Sequence, residues 1–326
     1  MRRSTLIRAT ALAGLLPALE LGKLARAQQP FPSKVIKLII PYMPGASTDQ
    51  VARPFAQELS KELKTPVIVE SRPGGGTSIG ALALKSQPAD GHTLLVQTGE
   101  MFATKLANPK LDYEFSDFEA IAPLSRTPLA LVVPGQYQIK TLDDLKAHAA
   151  KKNNELDFGS LGLGANMYTM LSRTLSQYLG IKPNMILYKG GAQVIPALMT
   201  GEIDAYFPTV GLIYGQKDNP RLHVLALTSD GSKNAFFPNA KSFKELGIKD
   251  MVMYSYFGIA IRSDTPNDIK MKLKQAAIRI SNSDEMKEAR RQIALEDFPG
   301  TLDEFNAEMR SNIQKLEAAY MQEQKH

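Results

Sequence analysis

The chain of 326 residues has no cysteine, which excludes disulfides, thiolate zinc sites, thiol nucleophiles and iron–sulfur clusters together. Only four histidines are present: His92, His148 and His223 fall in different predicted elements without metal-ligand spacing, and His326 is terminal. Long apolar runs are missing as well, since no segment after residue 27 approaches the roughly 18 uninterrupted apolar residues of a membrane helix. Excess charge is slight. The net charge is +6, but residues 1–27 hold Arg2, Arg3, Arg8, Lys23 and Arg26 against Glu20, a net +4, so the rest carries only +2. That removes most of the case for nucleic acid as a partner.

What remains is the composition of a soluble globular protein, 44% hydrophobic and 22% charged, and long enough for two lobes. A chain of this size buries about 75% of the surface it exposes when unfolded. At the N-terminus Arg2 and Arg3 precede a short apolar stretch, Ala11 to Leu19, and then Ala25-Arg26-Ala27. This reads as an export signal over 1–27, cleaved near Ala27, with the twin-arginine and Sec routes both open and a periplasmic destination expected.

Beyond it, apolar runs alternate with helical patterns. Val35 to Ile40, Val67 to Val69 and Thr93 to Val96 read as strands, and Val51, Phe55, Leu59 and Leu63 recur at every fourth residue of a helix. The rhythm returns with strands at Leu129 to Val133, Leu156 to Gly159, Met185 to Tyr188, Asp204 to Phe207, Leu222 to Leu227 and Phe257 to Ile261. Helices are predicted to open at Thr141, Asn166, Thr265-Pro266 and Thr301, the last as a capping box with Glu304. The expected class is α/β with mostly parallel sheets.

Two strand-loop-helix units resemble each other. In the first, Leu38-Ile39-Ile40 runs through Pro41-Tyr42-Met43-Pro44-Gly45-Ala46 into a helix for which Ser47 and Gln50 predict a capping box. In the second, Leu156-Asp157-Phe158 runs through Gly159-Ser160-Leu161-Gly162-Leu163-Gly164-Ala165 into a helix capped by Asn166. Neither loop contains Lys or Arg. A helix N-terminus offers unpaired N–H groups and about half a positive charge, so two such loops, one per lobe, would clamp an anion without a cationic side chain. A tight βα turn is the alternative for either loop alone.

Cofactor and enzyme motifs fail on particular residues. Gly75 to Gly80 has the spacing of a phosphate loop, but Ala81-Leu82 stands where Lys-Ser/Thr is required. Met167 follows Gly162-Leu163-Gly164 where a dinucleotide fingerprint needs Gly or Ala. Ser160 lies on a strand-to-helix turn, yet Phe158 occupies the first glycine position of G-x-S-x-G. No cofactor or metal is expected. Pro54, inside the first helix, removes an amide hydrogen bond and should kink it.

The ordered set Pro41 to Asp49 with Ala52-Arg53, Val69 to Gly76 with Ser78-Ile79-Gly80, Ala89 to Leu95, Asp117-Phe118, Gly159 to Gly164, Tyr188 to Ala192 and Gly201 to Asp204 resembles the Bug solute-binding proteins. These are the extracytoplasmic receptors of tripartite tricarboxylate transporters. The resemblance implies a type II periplasmic-binding-protein fold of two Rossmann-like lobes, 28–129 plus 255–326 and 130–254, with a ligand cleft between them. It implies a monomeric, non-enzymatic receptor for a mono-, di- or aromatic carboxylate that serves transporter membrane subunits. An orphan receptor for a signalling partner, or a hydrolase or isomerase using Ser160 or His92 on the same fold, are the alternatives. Carried over, the ligand-binding residues are Tyr42, Met43, Ala46, Ser47 and Asp49 in the first loop, Ser160, Gly164 and Ala165 in the second, and Tyr188, Gly191, Gln193 and Asp204 on the far side. Asp204 reads equally well as a cap on a neighbouring turn. Ala165-Asn166-Met167-Tyr168 departs from the family's hydroxyl-rich sequence, and Ala46 replaces a common glycine, so a ligand less polar than a tricarboxylate is expected.

Overall fold

The computed structural model describes residues 30–161, 166–188, 191–231 and 233–323. The expected export signal lies outside them. In chain order the elements are β1 (Ile36–Ile40), α1 (Ser47–Leu63), β2 (Val67–Ser71), α2 (Ser78–Lys85), β3 (Thr93–Thr98), α3 (Glu100–Ala107), β4 (Phe118–Pro128) and β5 (Ala130–Pro134). They continue with α4 (Leu142–Ala150), β6 (Glu155–Leu161), α5 (Met167–Leu179), β7 (Lys182–Tyr188), α6 (Gly191–Thr200), α7 (Val210–Tyr214) and β8 (Leu222–Leu227). The last are β9 (Tyr254–Arg262), α8 (Asn267–Ser281), α9 (Asp284–Gln292) and α10 (Leu302–Glu323).

The first sheet has the order β2-β1-β3-β9-β4. Alternation along β1 explains its two covered faces: Leu38 and Ile40 enter one core with Val51, Phe55 and Leu59 of α1, while Ile39 enters the other with Leu84, Phe102 and Phe305. β3 repeats the division, with Leu94 and Val96 on the α1 side and Leu95 on the opposite side.

The second sheet follows the same plan. β6 pairs with β7 in parallel and β5 with β8 antiparallel, and isolated bridges from Phe158 to Ala205 and from Val132 to Tyr206 join the two pairs through the 204–207 segment. That segment, expected as a strand, is present only as these bridges. The sheets are mixed rather than mostly parallel, because β9 runs antiparallel to both β3 and β4. β4 escapes the sequence pattern: Pro123, Pro128 and register shifts near Ala120 and Pro123 break its alternation.

Capping was partly legible. Thr301 with Glu304 forms the expected box, the helix expected at Thr141 opens with a box to Asp144, and Asn166 Oδ1 accepts from Thr169 N–H. Ser47 with Gln50 does not. Ala46 is the N-cap of α1 with no side-chain cap bond, and Gln50 Nε2 instead donates back to Gly45 O at 2.9 Å. α8 starts one residue later than expected, with Pro266 as its N-cap. α1 continues through Pro54 to Leu63.

Two extended segments carry the chain between the sheets, one at Leu129 and one at Met253. Thr228, fully buried, joins them. Its N–H donates to Leu129 O (2.9 Å) and its Oγ1 accepts from Leu129 N–H (2.8 Å). The same Oγ1 donates to Met253 O (2.5 Å), and Met253 N–H donates to Thr228 O (2.9 Å). Thr228→Val keeps the shape but leaves Leu129 N–H and Met253 O without these partners. The expected cost is about 2–4 kcal/mol of unfolding free energy, at 1–3 kcal/mol per orphaned buried group, and Thr228→Ser should recover most of it. Urea unfolding of the three proteins checks this, and a Thr228→Val midpoint equal to wild type would refute the staple.

Candidate ligand-binding site

A sheet in which the chain leaves one strand for a neighbour on one side and then crosses to the other has a crevice outside the carboxyl ends of those strands. In the first sheet that point lies between β1 and β3, which flank each other although β2 comes between them in sequence. The loop after β1 is held in place by its own acids and glycine. Gly45 takes φ +85°, and its N–H donates to Asp49 Oδ2 (2.9 Å), which also accepts from Arg53 Nε (3.0 Å). Ser71 Oγ donates to Tyr42 O at 2.7 Å. These bonds leave the N–H groups of Ser47, Thr48 and Asp49 without acceptors among the described residues, and Thr48 Oγ1, buried beside them, is also unpartnered.

At the end of β3 stands a group that the sequence reading did not single out. Glu100 opens α3, and the Tyr42 hydroxyl donates to its Oε2. Burial pushes the Glu100 carboxyl above its ordinary value, the Tyr42 bond opposes this, and no lysine or arginine among the described residues acts on its charge. Burial, then the Glu100 charge, push the Tyr42 phenol well up. The same two causes, in the same order, raise the phenols of Tyr168 at the start of α5 and Tyr206 beside β6, so Glu100 faces the second sheet. Tyr168 and Tyr206 stack with centroids 5.8 Å apart. Tyr206 is fully buried, and among the described residues neither its hydroxyl nor Thr98 Oγ1 at the end of β3 meets a hydrogen-bond partner of good geometry. Opposite α1, a Cβ at Gly211 of α7 would lie 3.0 Å from Ile293 O and 3.5 Å from Ser47 Oγ, so this glycine permits the close approach of the two sides.

The expected site residues divide into two groups. Tyr42 in the first loop, Ala46 at its end and Ser47 at the start of α1 are half-buried, and Met43 is exposed at the loop's tip. Gly164 and Ala165 lie outside the described residues. Ser160 is fully buried at the end of β6 with its Oγ 3.2 Å from Thr169 Oγ1. Asp49 is turned inward onto Gly45 and Arg53. Asp204 is fully buried: it accepts from Lys152 Nζ (2.6 Å) and Asp157 N–H (2.9 Å), and its Oδ1 lies 3.1 Å from His148 Nε2. It is thus held in a buried cluster with Lys152, His148 and an amide of β6, rather than capping a turn. Tyr188, on the β7 edge, donates to Glu202 at 2.9 Å, while Gly191 and the exposed Gln193 open α6. His92 sits before β3, at the end away from Glu100, where its Nε2 accepts from Ser33 N–H (3.1 Å). A separate groove of about 810 Å³ between Thr141, Tyr178, His223 and Phe237 contains none of these residues.

No helix among the described residues is long and apolar enough to cross a membrane, and none of their acidic and histidine side chains cluster in the threes that a metal site needs.

Comparison with known proteins is consistent along the chain. Residues 51–319 match the tripartite tricarboxylate transporter family receptor. BugT of Bordetella pertussis is 29% identical over 248 residues, 75% of this chain and 76% of that one. MatC from Rhodopseudomonas palustris, with bound malate, has the same fold at TM-score 0.75 and 21% identity, over 88% of this chain and 100% of that one. A second R. palustris protein, with adipate, gives TM-score 0.79 at 22% identity, over 88% and 96% of the two chains. The architecture of two α/β lobes is therefore that of the periplasmic solute-binding proteins. The chain belongs to the tripartite tricarboxylate transporter receptor family, the group of the Bug proteins.

Proposed function

We propose that this protein captures a small carboxylate in the crevice between its lobes and presents it to transporter subunits in the membrane. The lobes are 28–129 with 255–326, and 130–254; the chain works as a monomer in the periplasm after losing residues 1–27 by the twin-arginine or Sec route. The observation that carries this reading is the row of N–H groups at Ser47, Thr48 and Asp49 without acceptors among the described residues, at the strand crossover and in the stretch whose Ser47 approaches Gly211 of the second lobe. Such a terminus binds an anion by its donors and its dipole, without Lys or Arg. Malate and adipate, bound by the two structural neighbours, are carboxylates of this kind. Capture rather than catalysis fits the side chains, because Ser160 has Thr169 and no histidine beside it, and His92 lies at the wrong end of β3.

A ligand in hundredfold excess over its dissociation constant stabilises the folded state by about 2.7 kcal/mol. Thermal melts of protein freed of ligand by unfolding and refolding should therefore rise by several degrees with aliphatic or aromatic carboxylates and not with the matching amides. Equal shifts with both would mean that the loop reads a carbonyl rather than a charge.

Ser47→Pro tests the donor row directly. Proline is suited to the first helical position, and Ala46 before it is already extended (φ −68°, ψ 163°), so the substitution removes one N–H without disturbing α1. Carboxylate affinity should fall about tenfold or more, the worth of one hydrogen bond to a charged group. The unliganded melting temperature should hold, and Ser47→Ala should bind as wild type. Calorimetric titration of both variants checks this; undiminished binding by Ser47→Pro rules the row out.

A further inference from the structure

The strand ends of the first lobe present two groups of opposite kind. After β1 come N–H donors; after β3, on the adjacent strand about 5 Å away, comes a carboxylate. Glu100 gives Oε2 to the Tyr42 hydroxyl, while its Oε1 receives no hydrogen bond from the described residues. No cationic side chain among the described residues balances it. Across the crevice the buried Tyr206 hydroxyl meets no well-placed partner among the described residues, nor does the buried Thr98 Oγ1 beside Tyr42. An acid placed there is a poor neighbour for a second ligand carboxylate, because two like charges in a water-poor crevice repel. It suits an ammonium group. Oε1 can accept from the N–H groups, and the faces of the surrounding tyrosines attract the cation.

We propose that Glu100 is a ligand-recognition residue and that the ligand is a small amino carboxylate, its carboxylate on the N-terminus of α1 and its ammonium on Glu100. This rests on the carboxylate reading above and narrows it: the site as a whole is dipolar, with an anion end built from backbone and a cation end built from one acid and tyrosines. Tyr42 belongs to both ends, since its backbone lies in the donor loop and its hydroxyl orients Glu100.

The test uses pairs of equal chain length that differ at one end: β-alanine with succinate, 4-aminobutyrate with glutarate, and 5-aminovalerate with adipate, together with L-aspartate and L-glutamate. Each is titrated calorimetrically into ligand-free wild type and into Glu100→Gln. At least one amino carboxylate should bind wild type tenfold or more tightly than every dicarboxylate. Glu100→Gln should weaken that ligand at least tenfold and strengthen the dicarboxylates. Tyr42→Phe, which frees Glu100 without removing it, should lie between the two.

Tighter binding of a dicarboxylate to wild type, with Glu100→Gln no different, overturns the amine assignment and leaves carboxylate capture standing. No binding by any member of the panel overturns both. Should Glu100→Gln fail to fold, the preference within the wild-type pairs still decides the matter.

Discussion

The satisfaction of buried backbone groups where the chain passes between its sheets is the constraint on which the architecture depends. Two segments make that passage side by side, and neither is part of a regular ladder at the point of crossing. Their amides and carbonyls would be orphaned without Thr228, whose single hydroxyl accepts from one segment and donates to the other. A threonine is suited to this because its Oγ1 can do both at once and its methyl group fills apolar space. Nearby, Arg126 lies over the Tyr254 ring at 4.2 Å, and Asn312 of α10 donates to Tyr254 O at 2.9 Å, so the polar ties continue outward from the crossing.

From that crossing the chain builds one plan twice. β1, β2 and β3 are matched by β6, β7 and the 204–207 segment. The repetition explains why Tyr206 occupies in the second lobe the place that Thr98 and Glu100 occupy in the first. α10 then spans the halves, with Phe305 and Met309 in a core of the first and Leu316 in the core of the second.

The parts of this that the sequence announces are those decided within a few residues. The first glycine-bearing loop, the Asn166 cap and the Thr141 and Thr301 boxes depend on local hydrogen bonds, and their residue types signal them. β4 was hidden because its two prolines and irregular register mask the alternation that marks a strand. Asp49 and Asp204 stood in the right loops, but their partners Arg53, Lys152 and His148 decide which way each carboxylate turns. Glu100 was passed over because an acid at a helix start is ordinary dipole complementation. Its isolation from any cation emerges only when Tyr42, Tyr168 and Tyr206 are assembled around it. The crossover rule would have found it, applied to the end of the third strand as well as the first.

The position of β9 governs the order in which the molecule takes shape. This strand lies between β3 and β4, pairing Leu95 with Ala260 and Ala120 with the same residue, yet it follows the whole of the second sheet in the chain. Until it arrives, β3 and β4 are two open edges with no ladder between them. The second lobe, whose pairings lie within one continuous stretch, closes its loops at lower entropic cost and is complete first. The first lobe, which carries Glu100 and the donor row, thus matures last, and the crevice comes into being only when β9, in the final quarter of the chain, has been threaded into its sheet.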